Sequence, residues 1–243
     1  MSGLHTASIP VIREPLLRAE GLGRVFSTRA GDVVACADID LEVYAGELVV
    51  VRGPSGAGKS TLLRLLGGLD SPTSGRVWID GSPVDEFSEQ QAVDLRRDDL
   101  GFVFQSFGLI PVLTAAQNVE LPLRMKEVDA ATRDARVAEV LELVGLADHA
   151  AQLPEELSGG QQQRVGIARA LAVPPRILMA DEPTAQLDST NAGVVMDLLA
   201  SLVESAGITV VIATHDPDLA ERAHRVIELH DGRLAARVGR HRA

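Results

Sequence analysis

Between Gly53 and Ser60 the chain reads GPSGAGKS, a G-x-x-x-x-G-K-[ST] pattern entered from the apolar run LVVV and left through TLLRLL. Glycines at this spacing let consecutive backbone N–H groups converge on phosphate oxygens, and a helix start adds partial positive charge. Gly53, Pro54, Ser55, Gly56, Ala57, Gly58, Lys59, Ser60 and Thr61 are therefore expected to cradle the phosphates of a nucleotide. Lys59 would reach the β- and γ-phosphates, and the Ser60 hydroxyl would ligate Mg²⁺. Only Lys59 and Lys126 are lysines among 23 basic residues, so a chain that otherwise uses arginine keeps a lysine inside its glycine-rich loop.

A second acidic site follows at ILMADEP, where Asp181 and Glu182 stand just beyond an apolar run. One carboxylate there can hold Mg²⁺ through water, and its neighbour can polarise a water for in-line attack on a γ-phosphate. The segment LSGGQQQR offers a second phosphate-ready helix start. Ser158 can cap that helix, and Gly159 and Gly160 let a phosphate approach its backbone. One nucleotide needs only one such cradle. A head-to-tail dimer, in which Ser158, Gly159, Gly160 and Gln161 of one copy close over the nucleotide of another, uses both.

The elements that must hold these groups are legible as patterns. Leu48 to Val51, Ile177 to Ala180, Val210 to Ala213 and Val226 to Leu229 are short continuous apolar runs, as in parallel strands buried on both faces. Val33 to Leu41 and Gly75 to Ile79, with the Asp80-Gly81 turn, suggest an antiparallel layer, and Asp231-Gly232 suggests a hairpin near the end. Val137, Val140, Leu141 and Val144 form a helical stripe that Gly145 ends. The expected architecture is an α/β core of RecA type with an antiparallel β-layer and an inserted helical subdomain. Residues 16–88 and 153–234 would form core and layer, and 89–152 the helical insertion. Residues 1–15 would be an N-terminal extension and 235–243 a basic tail, the rest being one domain. The run RRDD at Arg96 to Asp99 reads as a solvated face.

Composition restricts the partners. The 243 residues carry a formal charge of −11, which argues against sequence-independent nucleic-acid binding and against docking on an anionic membrane face. The lone cysteine, Cys36, excludes an internal disulfide framework. No apolar run is long enough to span a membrane and the start has no secretory pattern, so a cytoplasmic chain without direct membrane insertion is expected.

Taken in order, GPSGAGKST, LSGGQQQR, ILMADEP and VVIATHD resemble the motifs of the ATP-binding subunit of an ABC transporter, over about Leu16 to Leu234. The resemblance implies ATP and Mg²⁺, a homodimer, and an integral-membrane permease that holds the subunit at the inner face of the cell membrane. It implies that Phe26 stacks on adenine and that Gln105 touches Mg²⁺ and the attacking water. By the same resemblance His215 contacts the γ-phosphate, Glu182 is the general base, Asp181 a metal ligand, and Asp188 links the two sites across the dimer. GFVFQSFGLIPVLTAAQNVELPL resembles the lipoprotein-release, macrolide-export and cell-division group, whose permeases have large extracytoplasmic domains. Ala185, Gln186 and Arg52 depart from that group's usual residues. A small-solute importer ATPase and a signalling ATPase that transports nothing share the same chemistry.

Overall fold

The computed structural model describes residues 13–216 and 220–235. The chain begins with a long hairpin, β1 (Leu17–Thr28) and β2 (Gly31–Val43), then enters β3 (Leu48–Arg52) and α1 (Lys59–Leu66). Two short strands, β4 (Ser74–Ile79) and β5 (Ser82–Pro83), return to the first hairpin and give a four-stranded antiparallel sheet ordered β2-β1-β4-β5. Asp80 and Gly81 make the β4–β5 turn, both in the left-handed region. Next come α2 (Glu89–Asp98), β6 (Leu100–Val103), α3 (Ala115–Met125) and α4 (Ala130–Leu143). The last third alternates α5 (Gly159–Ala172), β7 (Ile177–Asp181), α6 (Ser189–Ala206), β8 (Thr209–Thr214), β9 (Arg225–His230) and β10 (Arg233–Leu234).

The four continuous apolar runs are β3, β7, β8 and β9. Together with β6 and β10 they form a six-stranded sheet ordered β10-β9-β3-β8-β7-β6, parallel throughout except for the terminal β9–β10 hairpin. In β3, β7 and β8 the continuous hydrophobicity has a direct cause, because successive side chains enter two different cores, whereas β9 carries Glu228 between Ile227 and Leu229 and is mostly half-buried. Leu48, Val50, Leu178, Ala180, Val210 and Ile212 join the core beneath α5, α6 and the helical subdomain. Val49, Val51, Ile177, Met179, Val211 and Ala213 join the core that α1 and the antiparallel sheet close on the other side.

The helical stripe lies on α4 as expected: Val137, Val140, Leu141 and Val144 are buried, and Gly145 turns out of the helix at φ 68°. The boundary at residue 89 needs correction. α2 packs on β6, and β6 is the edge strand of the parallel sheet, paired with β7 from Leu100↔Ile177 to Val103↔Ala180. Four residues, one of them glycine, are too short a run to announce a strand, so the helical insertion starts only after Val103. The RRDD run is also more than a solvated face. Arg97 and Lys126 both pair with Asp98, at 2.6 and 2.8 Å, joining α2 to the end of α3 and holding the Asp98 carboxyl well below its usual range. The sequence-expected extension and basic tail, apart from residues 13–15 and 235, lie outside the described residues.

Candidate functional site

The phosphate-binding pattern forms the turn between β3 and α1. Its glycines are required by geometry. Gly58 has φ 99°, and a Cβ there would overlap the carbonyl oxygen of Ala35 on β2. Gly58 occupies the N-cap of α1 and has no side chain to satisfy the first N–H groups of the helix, which leaves them directed at the cleft. The loop is clasped from outside by the β9–β10 turn, where Gly232 N donates to Ala57 O at 3.0 Å and Ala37 N donates to Gly232 O at 2.8 Å. Arg52 stands beside Glu228 of β9, 3.9 Å away, which gives the unusual arginine before the loop a local partner.

Lys59 is 6% exposed, and its ammonium donates to Gly53 O (2.9 Å) and Pro54 O (3.1 Å) while lying 3.3 Å from Glu182 Oε1. The Ser60 hydroxyl donates to Asp181 Oδ1 at 2.9 Å. Asp181 ends β7, and burial, reinforced by the adjacent Glu182 charge, raises its carboxyl above the usual value. Glu182 adopts φ 46°, a left-handed conformation that an L-residue holds only when its surroundings fix it. Here Glu182 N donates to Ala213 O, and Oε2 accepts from Thr214 Oγ1 (3.2 Å) and meets His215 Nδ1 at 2.9 Å.

Lys59, Ser60, Glu182 and His215 line an open cleft of about 530 Å³ whose other walls include Val33, Val34, Ala35 and Gln105, and Asp181 stands behind Ser60. Ser60 and Asp181 converge as Mg²⁺ ligands should. No cluster of three His, Cys, Asp or Glu exists among the described residues, so the cation would complete its shell from phosphate oxygens and water, which is the habit of Mg²⁺. The residues present fit the ion.

Not every candidate gathers here. Phe26 is not on the cleft wall; the Arg24 guanidinium lies 4.7 Å from its ring centroid, while Val33, opposite it in the β1–β2 ladder, lines the cleft. Ser158 caps α5, accepting from Gln161 N while Gln161 Oε1 accepts from Ser158 N at 2.8 Å. Asp188 caps α6, and its bonds from Asn191 N (2.9 Å) and Nδ2 (2.7 Å) hold its carboxyl below the ordinary range. Ser158, Gly159, Gly160, Gln161 and Asp188 do not line the cleft. Their starts touch one another instead, because a Cβ on Gly160 would collide with Asn191.

Three groups escaped the sequence reading. Thr214 anchors Glu182. Arg169 of α5 donates to the carbonyls of Phe107 and Gly108, which tethers the segment after Gln105 to the helix that Ser158 begins. His149 reaches Gln161 across two loops. Arg169 and His149 have no motif of their own, Thr214 stands beside His215 in VVIATHD, and only the folded chain brings the three to their partners.

A phosphate-cradling loop at the end of a central strand, with an acidic pair at the end of another strand of the same sheet and a histidine against the second acid, defines a nucleotide hydrolase. The chain belongs to the ABC transporter family, which it matches over residues 36–185, and it is an ABC ATPase whose hydrolysis is coupled to transport. It is 48% identical to the ABC transporter ATP-binding protein YtrE of Bacillus subtilis over 206 residues, 85% of this chain and 89% of that one. It is 46% identical over 91% of its length to the macrolide export ATP-binding/permease protein MacB 1/2 of Paracoccus denitrificans, of which it spans 33%. Among solved structures it resembles the dimeric ATP-binding cassette MJ0796 in a post-hydrolysis state bound to ADP and Pi, with TM-score 0.85 and 42% identity, covering 90% of this chain and 97% of that one.

Proposed function

We propose that the chain works as a homodimer beneath an export-type permease with a large extracytoplasmic domain, and that two ATP molecules are held between its copies. One observation carries this reading: the cleft has a complete set of groups for one nucleotide's phosphates and metal, yet the capped start of α5 lies off that cleft. A second phosphate-ready helix start with no nucleotide of its own suits a second copy. The dimeric cassette MJ0796 and the MacB protein, whose name joins ATP-binding and permease parts, support the two halves of the proposal.

In this reading Lys59 and the N–H groups of residues 53–61 bind the β- and γ-phosphates. Ser60, Asp181 and Gln105 would hold Mg²⁺, which would supply positive charge beside those phosphates. Glu182 accepts a proton from the attacking water through the carboxylate that Thr214 and His215 orient. His215, exposed on its outer side, presents its other ring nitrogen to the γ-phosphate. Ser158 of the opposite copy donates its hydroxyl to the same phosphate, and Asp188 sits beside it through Asn191. The subunit would be cytoplasmic and peripheral, held by its permease; no described helix is long and apolar enough to cross a membrane.

The test is light scattering of the Glu182→Gln protein with and without MgATP, followed by purification of that protein from its native membranes. A monomer-to-dimer shift on ATP, with a stoichiometric multi-span protein bearing a large external domain, is expected. A chain that stays monomeric with ATP bound refutes the dimer. Co-purification with a multi-span protein lacking an external domain refutes the export-type assignment and favours a small-solute importer.

A further inference from the structure

His149 lies in the short turn after α4, and its two ring nitrogens contact two glutamine amides. Nδ1 is 2.7 Å from Gln152 Oε1, and Nε2 is 3.1 Å from Gln161 Nε2. The proton positions follow from one end of this chain. Ser158 N–H can only donate, so the Gln161 oxygen, 2.8 Å away, must face it. The Gln161 –NH₂ then faces His149, and Nε2 of the ring must accept. The ring proton is therefore on Nδ1, where the Gln152 oxygen receives it. One arrangement satisfies every partner: a neutral imidazole in the Nδ1–H form.

This relay has a mechanical consequence at the phosphate-facing end of α5. The Ser158 hydroxyl oxygen accepts from Gln161 N, so its own proton turns away from the helix and is free for donation. Free rotation of the Gln161 amide would release Ser158 N–H, and with it the backbone turn that sets where the hydroxyl stands. His149 is the group that stops that rotation. Building on the dimer reading above, we infer that His149 is a positioning residue for ATP hydrolysis: by fixing the Gln161 amide it aims the Ser158 hydroxyl at the nucleotide of the other copy. It touches no substrate and belongs to no motif.

The experiment compares the wild type, His149→Leu and His149→Gln in the full-length chain. A glutamine at 149 can place a carbonyl oxygen where Nε2 accepts; leucine has no acceptor. The expected result for His149→Leu is ATP affinity of the monomer unchanged within about 2-fold and kcat lowered about 10-fold, the size of a lost N-cap contribution. ATP-driven dimerisation in a Glu182→Gln background should weaken by a similar factor. His149→Gln should recover most of kcat, and both variants should keep the wild-type thermal midpoint to within a few degrees. Nitrogen chemical shifts of the wild-type ring should show the Nδ1–H tautomer at neutral pH. Full kcat in His149→Leu, no recovery in His149→Gln, or an Nε2–H ring would overturn the inference while the dimer reading stands. A wild type that neither dimerises nor turns over ATP would overturn both.

Discussion

In the free protein the Lys59 ammonium has a carboxylate partner that ATP, on the proposed reading, would displace, and Glu182→Gln exposes how much that partner contributes. At 3.3 Å, in surroundings of effective dielectric near 20, the Coulomb attraction between the two is about 5 kcal/mol. The side chains are 6% and 11% exposed, so desolvation offsets a large part of this. Lys59 also keeps the Gly53 and Pro54 carbonyls after substitution. A net loss of about 2 kcal/mol remains for the free protein, in line with a buried charged group deprived of one partner. On the proposed reading, phosphate oxygens would take the carboxylate's place with ATP bound, and the loss would disappear. Three results follow together. The midpoint of the free Glu182→Gln protein should fall by about 4–8 °C, since each kcal/mol shifts a domain of this size by about 2–4 °C. Its ATP affinity, measured by calorimetry without Mg²⁺ so that nothing is hydrolysed, should rise about 30-fold. Its turnover should drop about 10²- to 10³-fold for want of a base. An unchanged midpoint with unchanged affinity would show that the Lys59–Glu182 pair contributes nothing in solution; undiminished turnover would show that Glu182 is not the base.

Asp181→Asn should be more stable than the parent at neutral pH and inactive with Mg²⁺. Burial raises the folded-state pKa of Asp181, so its contribution is fully favourable below the unfolded value and is lost as pH rises through the folded one; thermal melts should show the mutant's advantage vanish below about pH 4. Asn118 is fully buried, accepts from Ile110 N and donates to the carbonyls of Ile110, Leu113 and Thr114. Asn118→Leu should cost about 3 kcal/mol in denaturant unfolding and speed proteolysis between residues 104 and 114; a cost under 1 kcal/mol would mean that the loop holds itself. The Cys36 thiol, buried against the Gly58 carbonyl, is pushed up to about 11. It should resist thiol reagents at neutral pH and resist them further with ATP bound; fast labelling indifferent to nucleotide would contradict the tight contact of β2 with the phosphate loop.

What could be read from the chain alone followed from how local each feature is. The phosphate loop, the acidic pair and both αL turns at Asp80-Gly81 and Asp231-Gly232 depend on a few adjacent residues, and the structure forms each where its residues stand. The central strands were legible because both their faces are buried, which leaves an apolar run with no alternation. β6 was not, because its four residues gain strand geometry only from β7 beside them. The lysine count drew attention to Lys59 but gave no hint that Lys126 closes on Asp98 from another helix. Phe26 is named by position alone, and the chain gives no sign that the Arg24 guanidinium, two residues before it, lies over its ring. His149 shows the converse, a histidine without sequence context that folding brings to the Gln161 amide.

The way the phosphate loop is clasped also fixes when it can exist. β3 finds its sheet neighbours only in β8 and β9, and Ala57 is bonded by Gly232, all synthesised long after the loop itself. At ordinary elongation rates the ribosome needs on the order of ten seconds or more to cover that distance. Throughout that interval the nascent chain displays Lys59 and its glycines with neither flank of the strand paired and the clasp missing. Nucleotide capture therefore waits until β8, β9 and the Gly232 turn have been made, and the strands before them remain clients for chaperones until then.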